Sequence, residues 1–219
     1  MAAKKDVTGI VPRKDVAIPP PQFQTVEFTI VGDAPYVQQR FSQKAIEQIK
    51  AVQLAGSKSK KGKAREPKDF QECYEQAKHI STEGWCGIPA SSFRAAMISA
   101  CRLVGFKMTL AKLSIFIPAD GFDVVDGTPL IKFSKGEPRY VEHAMRIPGI
   151  GGGGTDIRPR PMWDPGWEAK VRVTFDEAQF SAEDVTNLMM RVGMQVGLGE
   201  GRPDSRSSVG MGWGTFQLK

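Results

Sequence analysis

Histidine and cysteine are scarce in this chain, and their scarcity excludes several kinds of chemistry. The two histidines, His79 and His143, belong to no HxxxH or HExxH pattern. The three cysteines, Cys73, Cys86 and Cys101, are odd in number and include no CxxC pair. A disulfide framework and a zinc site are therefore not expected. We expect no metal, no cofactor and a reducing, cytoplasmic environment.

A long apolar run is also missing. No segment approaches the roughly 20 apolar residues that a membrane-spanning helix needs. Lys4 and Lys5 are not followed by the apolar stretch of a signal peptide. We therefore expect neither export nor membrane insertion. The 41% of hydrophobic residues is enough for an ordinary packed core.

Positive charge exceeds negative charge, with 30 Lys and Arg against 24 Asp and Glu. This excess favours an anionic partner without identifying it. The densest basic segment is 55–69, which has no apolar anchor and is predicted to be a flexible loop. Its lysines could contact a phosphate backbone, although a solvated linker is the ordinary alternative. They include Lys58, Lys60, Lys61 and Lys63.

The richest pattern in the sequence lies near the C-terminus. Seven glycines fall between Gly193 and Gly214, interleaved with Arg202, Arg206 and Trp213. Glycine at this density indicates positive φ angles or the close approach of another backbone. Two arginines and an indole suit an anionic ligand that carries bases. Taken alone, the same pattern also fits an ordinary glycine-rich turn at the end of a sheet.

A second pattern begins an amphipathic helix predicted over residues 91–104. Ser91 or Ser92 is expected to cap this helix, and its free N–H groups, the two hydroxyls and Arg94 could together hold a phosphate. The alternative is a capped core helix with an exposed arginine. A third segment, Arg146–Pro161, is so rich in glycine and proline that we expect an irregular loop, and it carries Arg158 and Arg160 as well as Arg146.

The order of the regular elements predicts an α+β fold. It is strand 23–31, helix 91–104, strand 112–117, strand 169–175, helix 181–196 and strand 213–218, a ferredoxin-like or RRM-like βαββαβ core. Residues 1–22 are predicted to form an extended arm. Residues 23–219 form one domain, with insertions at 32–90 and 118–168. The uncovered sheet face and the basic loops around it would suit a single nucleic-acid strand.

The two patterns together resemble the RAMP superfamily, and most closely the backbone subunits of CRISPR effector complexes. Residues Ile88–Arg94 resemble the family's IPxSSxR helix start. Gly197 to Phe216 resemble its terminal glycine-rich loop. The resemblance covers 23–31 and 85–218 and implies an RRM-like core with a β-hairpin thumb within 118–168. Ala90 and Ala95 depart from it, because glycine is common at these positions in the family.

The C-terminal GLGEGRP and GMGWGTF segments also resemble a phage-encoded family. This resemblance implies a stand-alone relative that acts in the host cytoplasm. The first functional hypothesis is therefore a non-enzymatic, sequence-independent protein that binds single-stranded RNA or DNA and assembles as a homo-oligomer, in a filament or ring. Trp213, Trp85 and Trp163 are candidate stacking surfaces. The candidate binding residues are Lys58, Lys60, Lys61, Lys63, Ser91, Ser92, Arg94, Arg146, Arg158, Arg160, Gly199, Gly201, Arg202, Arg206, Gly210, Gly212 and Trp213.

Two other functions stay open. RAMP relatives include RNases, so an endoribonuclease could use His79, His143 or Asp33 as its acid–base group. A protein-interaction module, such as an inhibitor of a host complex, could keep the fold without the ligand, since a fold does not determine a function.

Overall fold

The strand Phe23–Gly32 is the longest strand of the main sheet and pairs with its central strand, Glu168–Asp176. It is seen in a computed structural model that describes residues 18–40, 46, 47, 50, 51, 54, 69–147, 154–205 and 210–219. Residues 1–17 of the expected arm and the basic residues 55–68 lie outside this range.

The described elements alternate short strands with helices of two to three turns. In chain order they are β1 (Phe23–Gly32), β2 (Tyr36–Val37), α1 (Phe70–Gln76), β3 (Gly87–Pro89), α2 (Ala90–Ala100) with a 3-10 turn (Cys101–Val104), α3 (Met108–Ser114), β4 (Ile115–Phe116), β5 (Gly121–Phe122), β6 (Pro129–Lys135), β7 (Arg139–Ile147), β8 (Gly154–Trp163), β9 (Glu168–Asp176), α4 (Ala182–Arg191) with a π-helical turn (Val192–Val196), and β10 (Phe216–Leu218).

The βαββαβ core is confirmed. Strands β10, β1, β9 and β4 lie side by side in that order, all antiparallel, which is the strand order of a ferredoxin-like sheet. β1 and β9 pair along nine residues, from Phe23 opposite Asp176 to Val31 opposite Glu168. β4 pairs with one end of β9 and β6 with the other end of the same edge, so the insertion extends the sheet through β6 to β3.

The core lies between one face of this sheet and the helices α2 and α4. Alternation along β9 buries Val171, Val173 and Phe175, while the residues between them stay partly exposed. Helix α2 contributes Phe93 and Met97, both with no exposed surface. These side chains join the residues of α4 in one hydrophobic cluster, which fixes the position of the first turn of α2.

Two local expectations are wrong. The predicted strand 112–117 is helical through Ser114, and only Ile115 and Phe116 pair as a strand. The alternation of apolar and polar residues over 112–117 fits a strand or a short helix, and Leu110, Ala111 and the residues around them are good helix formers. Helix α2 begins at Ala90 with Pro89 as its N-cap and no capping side chain, so neither expected serine caps it. The proline φ of −54° lets strand β3 run directly into the helix.

The segment Arg146–Pro161 is not irregular as expected. Strands β7 and β8 pair antiparallel from Arg139 opposite Met162 to Ile147 opposite Gly154, and β2 pairs with the base of β8. Prolines at 159 and 161 are tolerated because Pro161 contributes its carbonyl, which accepts a hydrogen bond from the backbone of Gln38. Residues 148–153 between the two strands lie outside the described range.

Candidate nucleic-acid interface

A cleft of about 770 Å³ lies between the first turns of α2 and the glycine-rich loop, residues 197–214. Its polar lining includes Ser91, Ser92, Ser99, Arg102, Lys112, Gly199, Glu200, Arg202 and Asp204. The two sequence patterns, more than 100 residues apart in the chain, therefore form opposite walls of one cleft.

The helix wall presents unsatisfied backbone donors. The first N–H groups of any α-helix lack partners within the helix, and Pro89 gives α2 no side-chain cap. Ser91 is exposed and Ser92 is half-buried, and both border the cleft. Backbone donors, hydroxyls and the positive end of the helix dipole together favour an anion at this end of α2.

The loop wall depends on glycines at which any other residue would displace neighbouring backbone atoms. A Cβ on Gly199, which has a φ of +75°, would lie 2.4 Å from the carbonyl oxygen of Val37. A Cβ on Gly214 would lie 1.8 Å from the carbonyl oxygen of Leu198. Gly214 also donates to Pro35 and accepts from the backbone of Leu198. The glycines thus let the loop pack on β2 and the residues around it.

Arg202 projects from this loop at the cleft. Its Nη1 donates to the carbonyl of Gly199 at 3.0 Å, and the side chain is half-buried. A guanidinium has five N–H donors, so this bond leaves others available to a ligand. Lys112 of α3, exposed on the opposite side, adds a second positive charge.

Two arginines of the β8 strand are tied to the loop by one carboxylate. The Nε of Arg160 donates to Oε2 of Glu200 at 2.5 Å, and Nη1 of Arg158 lies 3.6 Å from Oε1. Arg158 also pairs with Asp156 at 3.2 Å. Arg160 and Glu200 have side chains only 11% and 10% exposed, so the pair is largely desolvated. Both arginines were expected at the interface, and here they already have an internal anion.

A second carboxylate of the loop closes the far end of the cleft. The hydroxyl of Ser99 donates to Asp204, and Nη2 of Arg102 lies 2.7 Å from Oδ2 of the same group. The Ser99 hydrogen bond, followed by the bond and charge of Arg102, lowers the pKa of Asp204 against the opposing effect of burial. Helix α2 and the glycine-rich loop are therefore held together by an ion pair.

Trp213 contacts both strand β7 and the glycine-rich loop. The ring centroids of Trp213 and His143 of β7 are 4.7 Å apart, and Gly201 lies so close that a Cβ there would be 2.6 Å from the indole. The Nε2 of His143 is buried without a hydrogen-bond partner. Burial, reinforced by Arg160 and Arg139 against the opposing Glu200, lowers the pKa of this imidazole. Trp213 thus joins the hairpin to the loop.

The other candidate tryptophans differ sharply in exposure. Trp163 has no exposed surface and stacks on Phe133 at 4.5 Å inside the core, so the expectation that it stacks on a base is wrong. Trp85 is half-buried, and its Nε1 donates to Glu83 at 3.0 Å. It lies on the β3–β6 side of the sheet, and Lys132 approaches its ring to 5.7 Å.

Arg94 lies outside the cleft lining. Its Nε donates to the carbonyl of Ile115 at 2.8 Å, Nη2 donates to the carbonyl of Lys112, and the guanidinium lies 5.3 Å from the ring of Phe116. These bonds satisfy carbonyls at the C-terminus of α3. A phosphate contact by Arg94 stays a prediction.

The open face of the sheet carries charges that are paired with one another. Lys170 lies 3.7 Å from Glu27, and Arg172 lies 2.9 Å from Asp120. Threonines occupy neighbouring positions, with Thr25 hydrogen-bonded to Thr174. The middle of β1 and β9 carries none of the stacking aromatics of an RNA-recognition sheet on this face, and the exposed aromatics Phe23 and Phe116 lie together at one end of it, with ring centroids 5.6 Å apart.

Other candidate residues are dispersed. Arg146 lies in β7 opposite Thr155, and Gly210 and Gly212 lie in the loop with φ values of +71° and +74°. Lys58, Lys60, Lys61, Lys63 and Arg206 lie outside the described residues. Sequence reasoning missed the acidic partners Glu200 and Asp204. The available signal was the pair of carboxylates on either side of Arg202 in GEGRPD.

The proposed acid–base residues have structural partners. The Nδ1 of His79 lies 2.8 Å from Oδ2 of Asp123, which also meets Arg40 at 3.3 Å. His79 is 7% exposed and Asp123 is 2% exposed. Asp33 accepts a hydrogen bond from Thr215 at 2.6 Å. Among the described residues, no group of three or more His, Cys, Asp or Glu could hold a metal ion, and none of the helices is long and apolar enough to cross a bilayer.

Comparison with known proteins shows the fold. The sequence matches no protein-family profile, and no curated protein gives a significant match. The structure is similar to a chain in the cryo-EM structure of the Type III-B Cmr-beta bound to cognate target RNA, with a TM-score of 0.52 and 11% sequence identity. The similarity covers 90% of this chain but 59% of that chain, so this protein spans less than two thirds of the length of the one it matches.

Proposed function

We propose that this protein binds single-stranded nucleic acid, RNA in the first place, without reading its sequence. The observation that carries the proposal is the meeting of the α2 N-terminus and the glycine-rich loop across one cleft. Both walls supply groups that bind phosphates, and neither wall presents a set of side chains arranged to read base edges.

The chemistry of the cleft supports a phosphate backbone as the ligand. Backbone amides and hydroxyls at Ser91 and Ser92 would accept one phosphate at the helix end. Arg202 and Lys112 would contact others by charge. The loop glycines leave the backbone accessible to a chain that lies along it.

The fold comparison supports RNA over DNA. A chain of similar fold belongs to a complex that was solved bound to cognate target RNA. Together with the sequence resemblance, this supports the assignment of the chain to the RAMP superfamily. That it is a stand-alone, phage-encoded relative is part of the proposal and rests on the sequence resemblance alone. Head-to-tail assembly in the host cytoplasm is part of the same proposal, because a sequence-independent binder tracks a strand best as a series of copies.

We also propose that the protein is not an enzyme. His79 is enclosed and bonded to Asp123, an arrangement that suits a structural ion pair better than proton transfer to a substrate. A nuclease and a protein-interaction module are the alternatives that the experiment must separate from simple binding.

The test is fluorescence anisotropy with labelled oligo(U) and oligo(dT) of equal length at several salt concentrations. Arg202→Gln and Lys112→Gln remove one cleft charge each, whereas Lys170→Gln and Arg172→Gln remove one charge each from the open sheet face. We expect each cleft variant to weaken binding about 10-fold, as for a charged hydrogen bond. The salt slope should fall by about 0.7 per lost phosphate contact.

The sheet variants should bind like the wild type. Binding that is lost in the sheet variants and kept in the cleft variants would overturn the site. If neither oligonucleotide bound at low salt, nucleic-acid binding would be rejected as the function, and the protein-interaction module would be the alternative that is kept. Shortening of the labelled RNA during incubation, abolished by His143→Ala, would show the nuclease. Tighter binding of oligo(dT) would assign DNA as the ligand.

A further inference from the structure

A second groove, of about 580 Å³, lies on the outer surface of the helix layer, away from the charged cleft. It runs between the 3-10 turn after α2 and the end of α4. Its walls include Val104, Phe106, Met190 and Met194. Val104 is 50% exposed, Met190 46% and Met194 67%, so several large apolar side chains face solvent together. Flexible methionines at a groove accommodate apolar side chains of varied shape.

Strand β1 begins near this groove. The carbonyl of Gln22 accepts a hydrogen bond from the backbone of Glu177, at the sheet end where β1 begins. Two residues after Glu177, Gln179 lines the groove, and so does Phe180, which packs on Phe106 with ring centroids 4.6 Å apart. The described chain starts at Ile18, four residues before Gln22, so residues 1–17 join it within about 13 Å of that hydrogen bond.

Those 17 residues have the length and composition to fill the groove. An extended chain spans about 3.3 Å per residue, so they could reach roughly 56 Å. They contain the apolar residues Val7, Ile10, Val11 and Val16. The short tether gives them a high effective concentration at the groove compared with any second molecule.

The charges around the groove also match. The groove itself is lined by one carboxylate, Asp184, and one cation, Arg191, and three more exposed or partly exposed carboxylates lie next to lining residues along the chain: Asp176, Glu177 and Glu183. The N-terminal segment carries Lys4, Lys5, Arg13 and Lys14 against Asp6 and Asp15. Opposite charges at a polar rim set the orientation of a docked segment more than they set its affinity.

We propose that the N-terminal segment, residues 1–17, docks in cis into the groove formed by Val104, Phe106, Met190 and Met194. Docking buries apolar side chains of the segment against the methionines, and its basic residues meet the acidic rim. The contact is independent of nucleic-acid binding, because the groove and the charged cleft share no lining residue.

The test is limited trypsinolysis of the full chain, followed by mass spectrometry. Wild type is compared with Met194→Glu, which places a charge in the groove, and with Leu113→Glu, which places the same charge at a residue that is 73% exposed on α3. We expect cleavage after Arg13 and Lys14 to be about 10-fold faster in Met194→Glu than in the other two proteins, since docked segments resist proteases. Cleavage at lysines 58–63 is the internal reference.

Three outcomes would overturn the proposal. Equal cleavage rates after Arg13 in all three proteins would show that the segment does not occupy the groove. Protection that disappears on tenfold dilution would show docking onto a second copy. Equal acceleration in both glutamate variants would show a general loss of stability. The variant Ile10→Glu then decides, because it changes the N-terminal segment and leaves the folded domain untouched. Cleavage of that variant at the wild-type rate would also overturn docking.

Discussion

Arg160 of the β7–β8 hairpin and Glu200 of the glycine-rich loop form a largely buried ion pair, with Nε and Oε2 2.5 Å apart. Arg158 approaches the other oxygen of the same carboxylate at 3.6 Å. Glu200 therefore occupies, from within the protein, the position that a phosphate would take between two arginines. A bound strand would have to compete with it.

Replacement of Glu200 by Gln should strengthen binding of oligo(U) at low salt. The substitution leaves Arg160 without its internal anion, whereas Arg158 keeps Asp156, so one more phosphate could be neutralised at Arg160 and would add about 0.7 to the salt slope. Loss of one partner of a buried pair should also lower stability, by about 3 to 5 kcal/mol. Anisotropy titrations and urea unfolding measure the two effects.

The matched control for this variant is Glu27→Gln. It changes the net charge by the same amount on the open sheet face, where Glu27 pairs with Lys170. An equal gain in affinity from both variants would show that overall charge is responsible and would contradict competition at the cleft.

Alanine at Gly214 should destabilise the protein far more than alanine at Gly212. The φ angles are nearly the same, +71° and +74°, so both substitutions cost about 1 to 2 kcal/mol of left-handed strain. At Gly214 the new Cβ would also meet the carbonyl of Leu198, whereas nothing lies within 4 Å at Gly212. Overpacking adds about 1 to 3 kcal/mol or more. Urea unfolding of the two variants tests this difference, and equal losses would contradict the close approach.

Asp204 should make stability fall at acid pH. Its pKa is lowered in the folded protein, chiefly by the Ser99 hydrogen bond and then by Arg102. The stabilisation is therefore complete above the ordinary carboxyl pKa of about 3.9 and is lost as the pH falls through the folded value. The difference in melting temperature between wild type and Asp204→Asn should be largest near neutral pH and should shrink below about pH 4. A difference that grows with acidification would refute this.

His143 should contribute a second pH dependence, in a higher range. Burial keeps its imidazole neutral and lowers its pKa, so protonation favours the unfolded chain. Stability is then retained above about pH 6.5 and lost as the pH falls through the folded pKa. His143→Phe keeps an aromatic ring against Trp213 and removes the unpartnered Nε2. Its melting temperature should change less than that of wild type between pH 7.5 and 5, and identical profiles would contradict a neutral buried imidazole.

The sequence predicted the core because two strands alternate cleanly. The side chains of β1 and β9 switch faces at each residue, and this periodicity survives in the nine-residue register between them. The helix α3 was missed because a short apolar run such as residues 112–117 fits both periods. The family resemblance implied a hairpin within 118–168, and β7 and β8 form it. The residue pattern alone predicted a loop for Arg146–Pro161, because pairing rather than residue preference makes strands of a segment that holds three prolines within 147–163.

The sequence predicted the two segments that line the cleft, but not the ion pairs that their residues form. Glycine density and the serine-rich helix start pointed to two walls of a cleft. The ion pair between Arg160 and Glu200 joins residues 40 positions apart, and no local pattern reports such a contact. Trp163 was proposed as a stacking surface because composition cannot distinguish an exposed indole from one that is fully buried.

The main sheet ends in very short strands on every side that the structure describes. β10 and β3 have three residues each, and β4 and β5 have two. Long β9 is paired along one edge by β1 and along the other by β4 and β6. On its other edge, however, β1 is covered by β10 only at Ile30–Gly32, so residues 23–28 present backbone N–H and C=O groups that another strand could join. A contact between copies at this edge would extend the sheet itself rather than rely on side chains alone.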